Sequence, residues 1–127
     1  MHADVRRLNE LSGVVIGCGF TVLNTLGVGF LEKVYENALA LELRKAGFSV
    51  AQQHGVKVIY DDAVIGEYFV DLMVEDALLV ELKTVRILDA AHRAQCVNYL
   101  KATGLQLCLL LNFGRSRLEI RRVAHAL

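Results

Sequence analysis

The sequence predicts a mixed α/β fold with elements in the order ααβββαββ. Apolar residues recur at helical spacing over the first 46 positions, which no strand pattern explains. Alternating or continuous apolar runs separated by turn residues then occupy 50–83. One more stretch with helix start and stop signals, 89–103, precedes two further strand-like runs.

The first helix is predicted over residues 4–26, where Val5, Leu8, Leu11, Val15, Cys18, Val22 and Leu26 form one stripe. Leu11–Leu31 holds no charged residue and is about as long as a membrane span, with Arg6 and Arg7 before it as in a signal anchor. Ser12, Thr21, Asn24, Thr25 and five glycines interrupt that stretch, and the stripe runs on into the charged part, so a buried helix is preferred to a membrane segment. Gly13 and Gly17, four apart, predict a close approach by another element. Gly27-Val28-Gly29 breaks the helix.

A second helix is predicted over 30–46, ending at Gly47, a natural C′ residue. Its apolar stripe is Leu31, Val34, Tyr35, Ala38 and Leu41, with Glu32, Glu36 and Leu39 on the neighbouring stripe. Three strands follow. Val50–Tyr60 is expected to bulge near Gly55; Asp61-Asp62 turns the chain; Val64–Val74 and Ala77–Lys83 complete the set. The helix over 89–103 starts at the N-cap Asp89 and ends at Gly104. Leu105–Leu111 reads as a strand covered on both faces, and Arg117–Val123 as a half-exposed last strand.

The length of 127 residues fits one domain over 1–127, and 54% hydrophobic content excludes a disordered chain. With 14 basic and 14 acidic residues the net charge is zero, so no global field draws the chain to nucleic acid. Cys18, Cys96 and Cys108 have no metal-site spacing and lie in apolar surroundings, as buried free thiols of a reducing cytoplasm do.

The most informative segment is Asp71–Lys83. It places Asp71, Glu81 and Lys83 inside an apolar hairpin, where unpaired charges cost several kcal/mol. Glu81 and Lys83, two apart on a strand, share a face. Two carboxylates with an adjacent Lys can hold a divalent cation and a nucleophilic water. Strand parity decides whether Asp71 joins them. A two-residue turn at Glu75-Asp76 would pair Asp71 with Val80 and turn Glu81 away. A three-residue connection, Glu75-Asp76-Ala77, or a single bulge brings Asp71 opposite Glu81. The missing Gly or Asn argues further against a tight primed turn.

Further polar residues complete a constellation. His92, Gln95 and Tyr99 share one face of the last helix, and Glu32 and Tyr35 lie three apart on the second. Gly29-Phe30-Leu31-Glu32-Lys33-Val34-Tyr35 resembles the motif that names the GxxExxY family. The resemblance continues through Gly66–Glu75, Val80–Lys83, His92–Tyr99, Leu100–Gly104 and Leu110–Phe113, and covers about residues 8–123. That family is similar to the PD-(D/E)XK nucleases, and Gln95–Tyr99 resembles the QxxxY motif of the RecB-like branch. The resemblance implies a restriction-endonuclease-like αβββαβ core with an extra N-terminal helix. It implies Asp71, Glu81 and Lys83 as the motif residues and Glu32 as the first-helix acid. Val70 stands where the superfamily's name has Pro, and Val28 where the family's turn often has Pro.

The chemistry of such a site is metal-dependent hydrolysis of DNA. Asp71, Glu81 and the Leu82 carbonyl can bind Mg²⁺ (or Mn²⁺), with Glu32 binding directly or through a water. Lys83 can orient or deprotonate the attacking water or steady the phosphate, and Gln95 and Tyr99 can contact the scissile strand. Bland readings stand beside these. Glu81–Lys83 can be an ion pair, Glu32 a solvated helix residue, and Gln95 and Tyr99 satisfied core groups. His92 reads as a surface residue at a helix N-terminus, and His54 and His125 as incidental. Arg115, Arg117, Arg121 and Arg122 form a solvated edge or a phosphate patch. The second functional reading is a non-catalytic nucleic-acid- or protein-binding module. A homodimer or a protein partner fits the small neutral chain.

Overall fold

The computed structural model describes residues 5–125. Two helices, α1 (Val5–Leu26) and α2 (Glu32–Lys45), lead into three strands, β1 (Val50–Tyr60), β2 (Ala63–Val74) and β3 (Leu78–Lys83). Helix α3 (Ala90–Thr103) and strands β4 (Leu107–Asn112) and β5 (Glu119–Ala124) follow, so the predicted order holds. The five strands form one sheet in sequence order. All neighbours are antiparallel except β3 and β4, which run parallel across the α3 crossover.

The centre of the sheet, β3, β4 and the second half of β2, is buried on both faces. Leu72, Val74, Leu78, Val80 and Leu82 pack with Leu107, Leu109 and Leu111 under α1 and α2. Leu79, Cys108 and Leu110 pack on the other face with Cys96, Tyr99 and Leu100 of α3. Every residue of β4 is buried, as its apolar run requires. The three cysteines are free, with Cys96 and Cys108 buried and Cys18 partly so. Among the described residues, no helix is long and apolar enough to cross a membrane.

Several local expectations change. The buried face of α2 is Tyr35, Glu36, Leu39, Ala40 and Leu43, whereas Leu31, Val34 and Leu41 are exposed. Apolar spacing selects the wrong stripe because the true one includes a carboxylate, Glu36, whose partners are Lys33 and two residues of β1. The close approach on α1 is at Gly19, where an added Cβ would lie 3.1 Å from a Leu118 methyl; Gly13 and Gly17 face open space. Strand β1 shifts register between Val58 and Ile59 rather than near Gly55, and it has one unpaired position, Gln53. Gln53 has φ of 51°, and its register partner Asp71 is missing from the ladder between Gln52–Leu72 and His54–Val70.

The connection from β2 to β3 is the three-residue one. Val74 pairs with Leu78, Met73 with Leu79 and Leu72 with Val80. Its form departs from expectation. Glu75 and Asp76 both adopt positive φ, 54° and 53°, and the Ala77 N–H donates to the Val74 carbonyl at 3.0 Å. A tight turn therefore forms without Gly or Asn, and Ala77 is the extra residue that sets the parity. The Ser49 N–H holds the turn by donating to Glu75 Oε2 at 2.8 Å.

Candidate active site

Strands β2 and β3 diverge immediately beyond the Leu72–Val80 pair. There the side chains of Asp71 and Glu81 replace the missing main-chain bonds. The Asp71 N–H donates to Glu81 Oε1 at 2.8 Å, and the Leu82 N–H donates to Asp71 Oδ2 at 2.8 Å. The two acids thus meet at a fork in the sheet, each carboxylate held by the other strand's backbone. Asp71 is 8% exposed and Glu81 3%.

Burial and proximity make this pair electrostatically unsatisfied. Burial, then the neighbouring Asp71 carboxylate, pushes the Glu81 carboxyl up to about 8. Burial also raises Asp71, although the Leu82 N–H and Gln53 amide oppose it. Burial and the Asp71 charge raise Glu32 as well. With both acids ionised the fork would hold more negative charge than its protein neighbours balance, which is why Glu81 retains its proton up to about pH 8. The Lys83 ammonium lowers all three acids and donates to Gln95 Oε1 on α3 at 3.3 Å.

Helix α2 reaches the fork through a residue whose role its spacing does not reveal. Glu36 is 2% exposed. It accepts from Lys33 Nζ at 2.8 Å, Gln52 Nε2 at 2.8 Å and Gln53 Nε2 at 2.6 Å. The same Gln53 amide donates to Asp71 Oδ1 at 3.1 Å, so Gln53 ties Glu36 to the fork from its unpaired position in β1. The available signal is the Glu32, Glu36, Leu39 stripe, since Leu39 is fully buried.

Tyr35 sets where α2 begins. Its hydroxyl donates to the Gly27 carbonyl at 2.5 Å and accepts from the Phe30 N–H at 3.3 Å. Its buried ring stacks on Phe113 at 5.0 Å. Gly27 and Gly29 supply the positive φ values, 70° and 110°, that this turn needs. On α3, Tyr99 is 4% exposed and its ring lies 5.9 Å from that of Tyr68. Burial first, then Glu81 and Asp71, raises its phenol.

The segment after Lys83 is clamped by Asn112. Its side chain accepts from the N–H groups of Val85 and Gly114 at 3.0 and 2.9 Å. It donates to the Val85 carbonyl at 2.8 Å and to Glu119 Oε1 at 3.0 Å. Burial pushes Glu119 up, but bonds from Asn112 and Leu88 and the Arg121 and Arg115 charges outweigh this and hold it below the usual carboxylate range. The arginine cluster is thereby divided. Arg115 and Arg121 face Glu119, while Arg122 bonds Ser12 at 3.0 Å and the Asn9 carboxamide. His92 closes a capping box with Asp89, as a helix N-terminal residue would.

The set of donors at the fork is all oxygen, which suits a hard divalent cation that keeps several waters. Two of the expected ligands, Asp71 and Glu81, converge. Glu32 feels the Asp71 charge, yet among the described residues no three His, Cys, Asp or Glu side chains are grouped closely enough to hold a metal.

The sequence profile of the PD-(D/E)XK nuclease superfamily matches residues 9–123. The chain belongs to that superfamily. No curated protein matches it. Among solved structures, this PD-(D/E)XK superfamily member is similar to a protein named SSO0001, with a TM-score of 0.56 and 16% identity. That match covers 97% of this chain and 61% of the other, so the chain spans about three fifths of its length. It is also similar to an alkaline exonuclease, LHK-Exo from Laribacter hongkongensis, with a TM-score of 0.45, 13% identity and coverage of 98% and 72%. The match to SSO0001 agrees with the restriction-endonuclease-like fold.

Proposed function

We propose that this chain is a divalent-metal-dependent nuclease that hydrolyses DNA phosphodiester bonds. On this reading it is a single domain over 1–127 of the GxxExxY family, in the RecB-like branch. The observation that carries the proposal is the Asp71–Glu81 fork, where two buried carboxyl groups meet on the same sheet face as Lys83. Superfamily membership gives that geometry its chemical meaning.

Asp71, Glu81 and the Leu82 carbonyl would hold the cation, Mg²⁺ or Mn²⁺, with Glu32 acting through a water. A bound cation supplies positive charge to the phosphoryl oxygens and acidifies water. Lys83, placed by Gln95, orients the attacking water or steadies the scissile phosphate as its P–O bond breaks. Tyr99 and Gln95 line the approach from α3. The free thiols fit a reducing cytoplasm.

A second reading, a binding module that has kept the fold, draws on the zero net charge of this short chain. Incubation with single- and double-stranded DNA and Mg²⁺ or Mn²⁺, beside Lys83→Ala, separates the readings. The nuclease reading expects wild-type cleavage that chelator and Lys83→Ala both abolish. Equal product from wild type and Lys83→Ala, or none with either metal, overturns it.

A further inference from the structure

A groove of about 540 Å³ lies between the β1–β2 hairpin and α3, lined by Lys57, Ile59 and Tyr68 on one side and Asn98 and Lys101 on the other. Among the described residues no acidic side chain lines it, although the chain as a whole is neutral. Its wall is unusual for a surface hairpin. Tyr68 is 51% exposed, and Ile59 is also solvent-facing.

The groove adjoins the fork. Tyr68 packs on Tyr99, and the Tyr99 phenol lies close enough to Glu81 and Asp71 to feel both charges. Helix α3 continues the path. It carries Gln95, bonded to Lys83, then Asn98 and Tyr99, then Lys101, within two turns. A chain of groups therefore runs from the acids through two tyrosines to two lysines.

We propose that this groove holds the single strand of nucleic acid that flanks the bond to be cleaved. Tyr68 stacks on a base, and Lys57 and Lys101 contact its phosphates. The proposal rests on the nuclease reading of the fork for its orientation. Three features select a single strand. An exposed aromatic face needs a base whose own face is free, which a duplex buries in its stack. Lys57, whose register partner on β2 is Glu67, and Lys101 line a groove with no acid in its lining, which complements a phosphate backbone. A duplex binder would need a broad basic surface, against which the zero net charge of the chain argues.

The test is fluorescence anisotropy of the full chain with labelled oligo-dT, oligo-U and a DNA duplex of equal length, in chelator so that nothing is cut. Wild type is expected to bind a strand of either sugar more tightly than the duplex. Tyr68→Ala is expected to weaken strand binding about tenfold, and Tyr68→Phe to restore it. Lys57→Gln with Lys101→Gln is expected to flatten the salt dependence by about 1.4 in log–log slope, ~0.7 for each phosphate contact. Equal unfolding temperatures show that these exposed substitutions leave the fold intact. No strand binding by wild type, equal binding of strand and duplex, or equal affinity in Tyr68→Ala overturns the proposal. So does a wild-type dimer that Ile59→Asp splits, because a second copy would then cover the groove. Strand binding that follows this pattern without cleavage under any metal would sink the nuclease reading and leave the groove standing. Cleavage with strand affinity unchanged in the variants would do the reverse.

Discussion

Asp71 and Glu81 exchange places with the backbone: each carboxylate accepts a main-chain N–H from the opposite strand, at 2.8 Å in both directions. This reciprocal arrangement fixes both acids without using a protein cation. It also keeps them close enough to repel. The rigidity comes from the strands, and the unbalanced charge is what a cation would answer.

The pH dependence of stability follows from that repulsion. Glu81 ionises at about 8 in the folded chain and near 4.5 when free. Between those values the folded state holds a proton that the unfolded state has lost, so stability falls as pH rises through this window and levels off above it. The loss is on the order of a few kcal/mol. Thermal melts from pH 5 to 9 in chelator should show this slope in wild type and a flatter curve in Glu81→Gln. Parallel curves would show that Glu81 is not the group responsible.

Glu36→Leu should be costly although the new residue is apolar. It removes the acceptor that the Gln52 and Gln53 amides and the Lys33 ammonium share and cuts the bridge from α2 to Asp71, leaving Gln52 bonded to Asn37 and Gln53 to Asp71. A loss of about 1–3 kcal/mol is expected for the lost hydrogen bonds to a buried carboxylate. Denaturant unfolding measures it, and Glu36→Gln should recover some of the loss. A neutral Glu36→Leu would mean that the bridge contributes nothing.

How much of this is legible in the chain depends on the range of the information. Parity along β2 and β3 is enough to require an odd connection between Asp71 and Glu81, because side chains alternate whatever the turn looks like. The turn itself is not legible. Glu75 and Asp76 accept positive φ because the Ser49 N–H and the neighbouring strands hold them there, a tertiary effect overriding local preference. The buried face of α2 is hidden for the same reason. Glu36 is buried because Gln52 and Gln53, 16 and 17 residues away, come to meet it, and no helical period carries that. Gly19 cannot be told from Gly13 and Gly17 without knowing where Leu118 lies.

Gly114→Ala should disturb the segment that follows Lys83. An added Cβ would sit 2.4 Å from the Val85 carbonyl oxygen and 2.6 Å from its nitrogen, both backbone atoms that cannot swing aside. Relief requires moving 84–85 or breaking the Asn112 clamp. Overpacking of this kind costs about 1–3 kcal/mol. Calorimetric unfolding should register the loss, while Gly13→Ala, facing open space on α1, should be neutral or slightly stabilising. An unchanged melting temperature for Gly114→Ala would contradict the packing described.

The central claim, that Asp71 and Glu81 form one cation site, is tested most directly by isothermal titration of Mn²⁺ into wild type, Asp71→Ala and Glu81→Ala, each shown to be folded by its melting curve. The account predicts saturable binding to wild type and none to either variant. Equal Mn²⁺ affinity in all three folded proteins would contradict it.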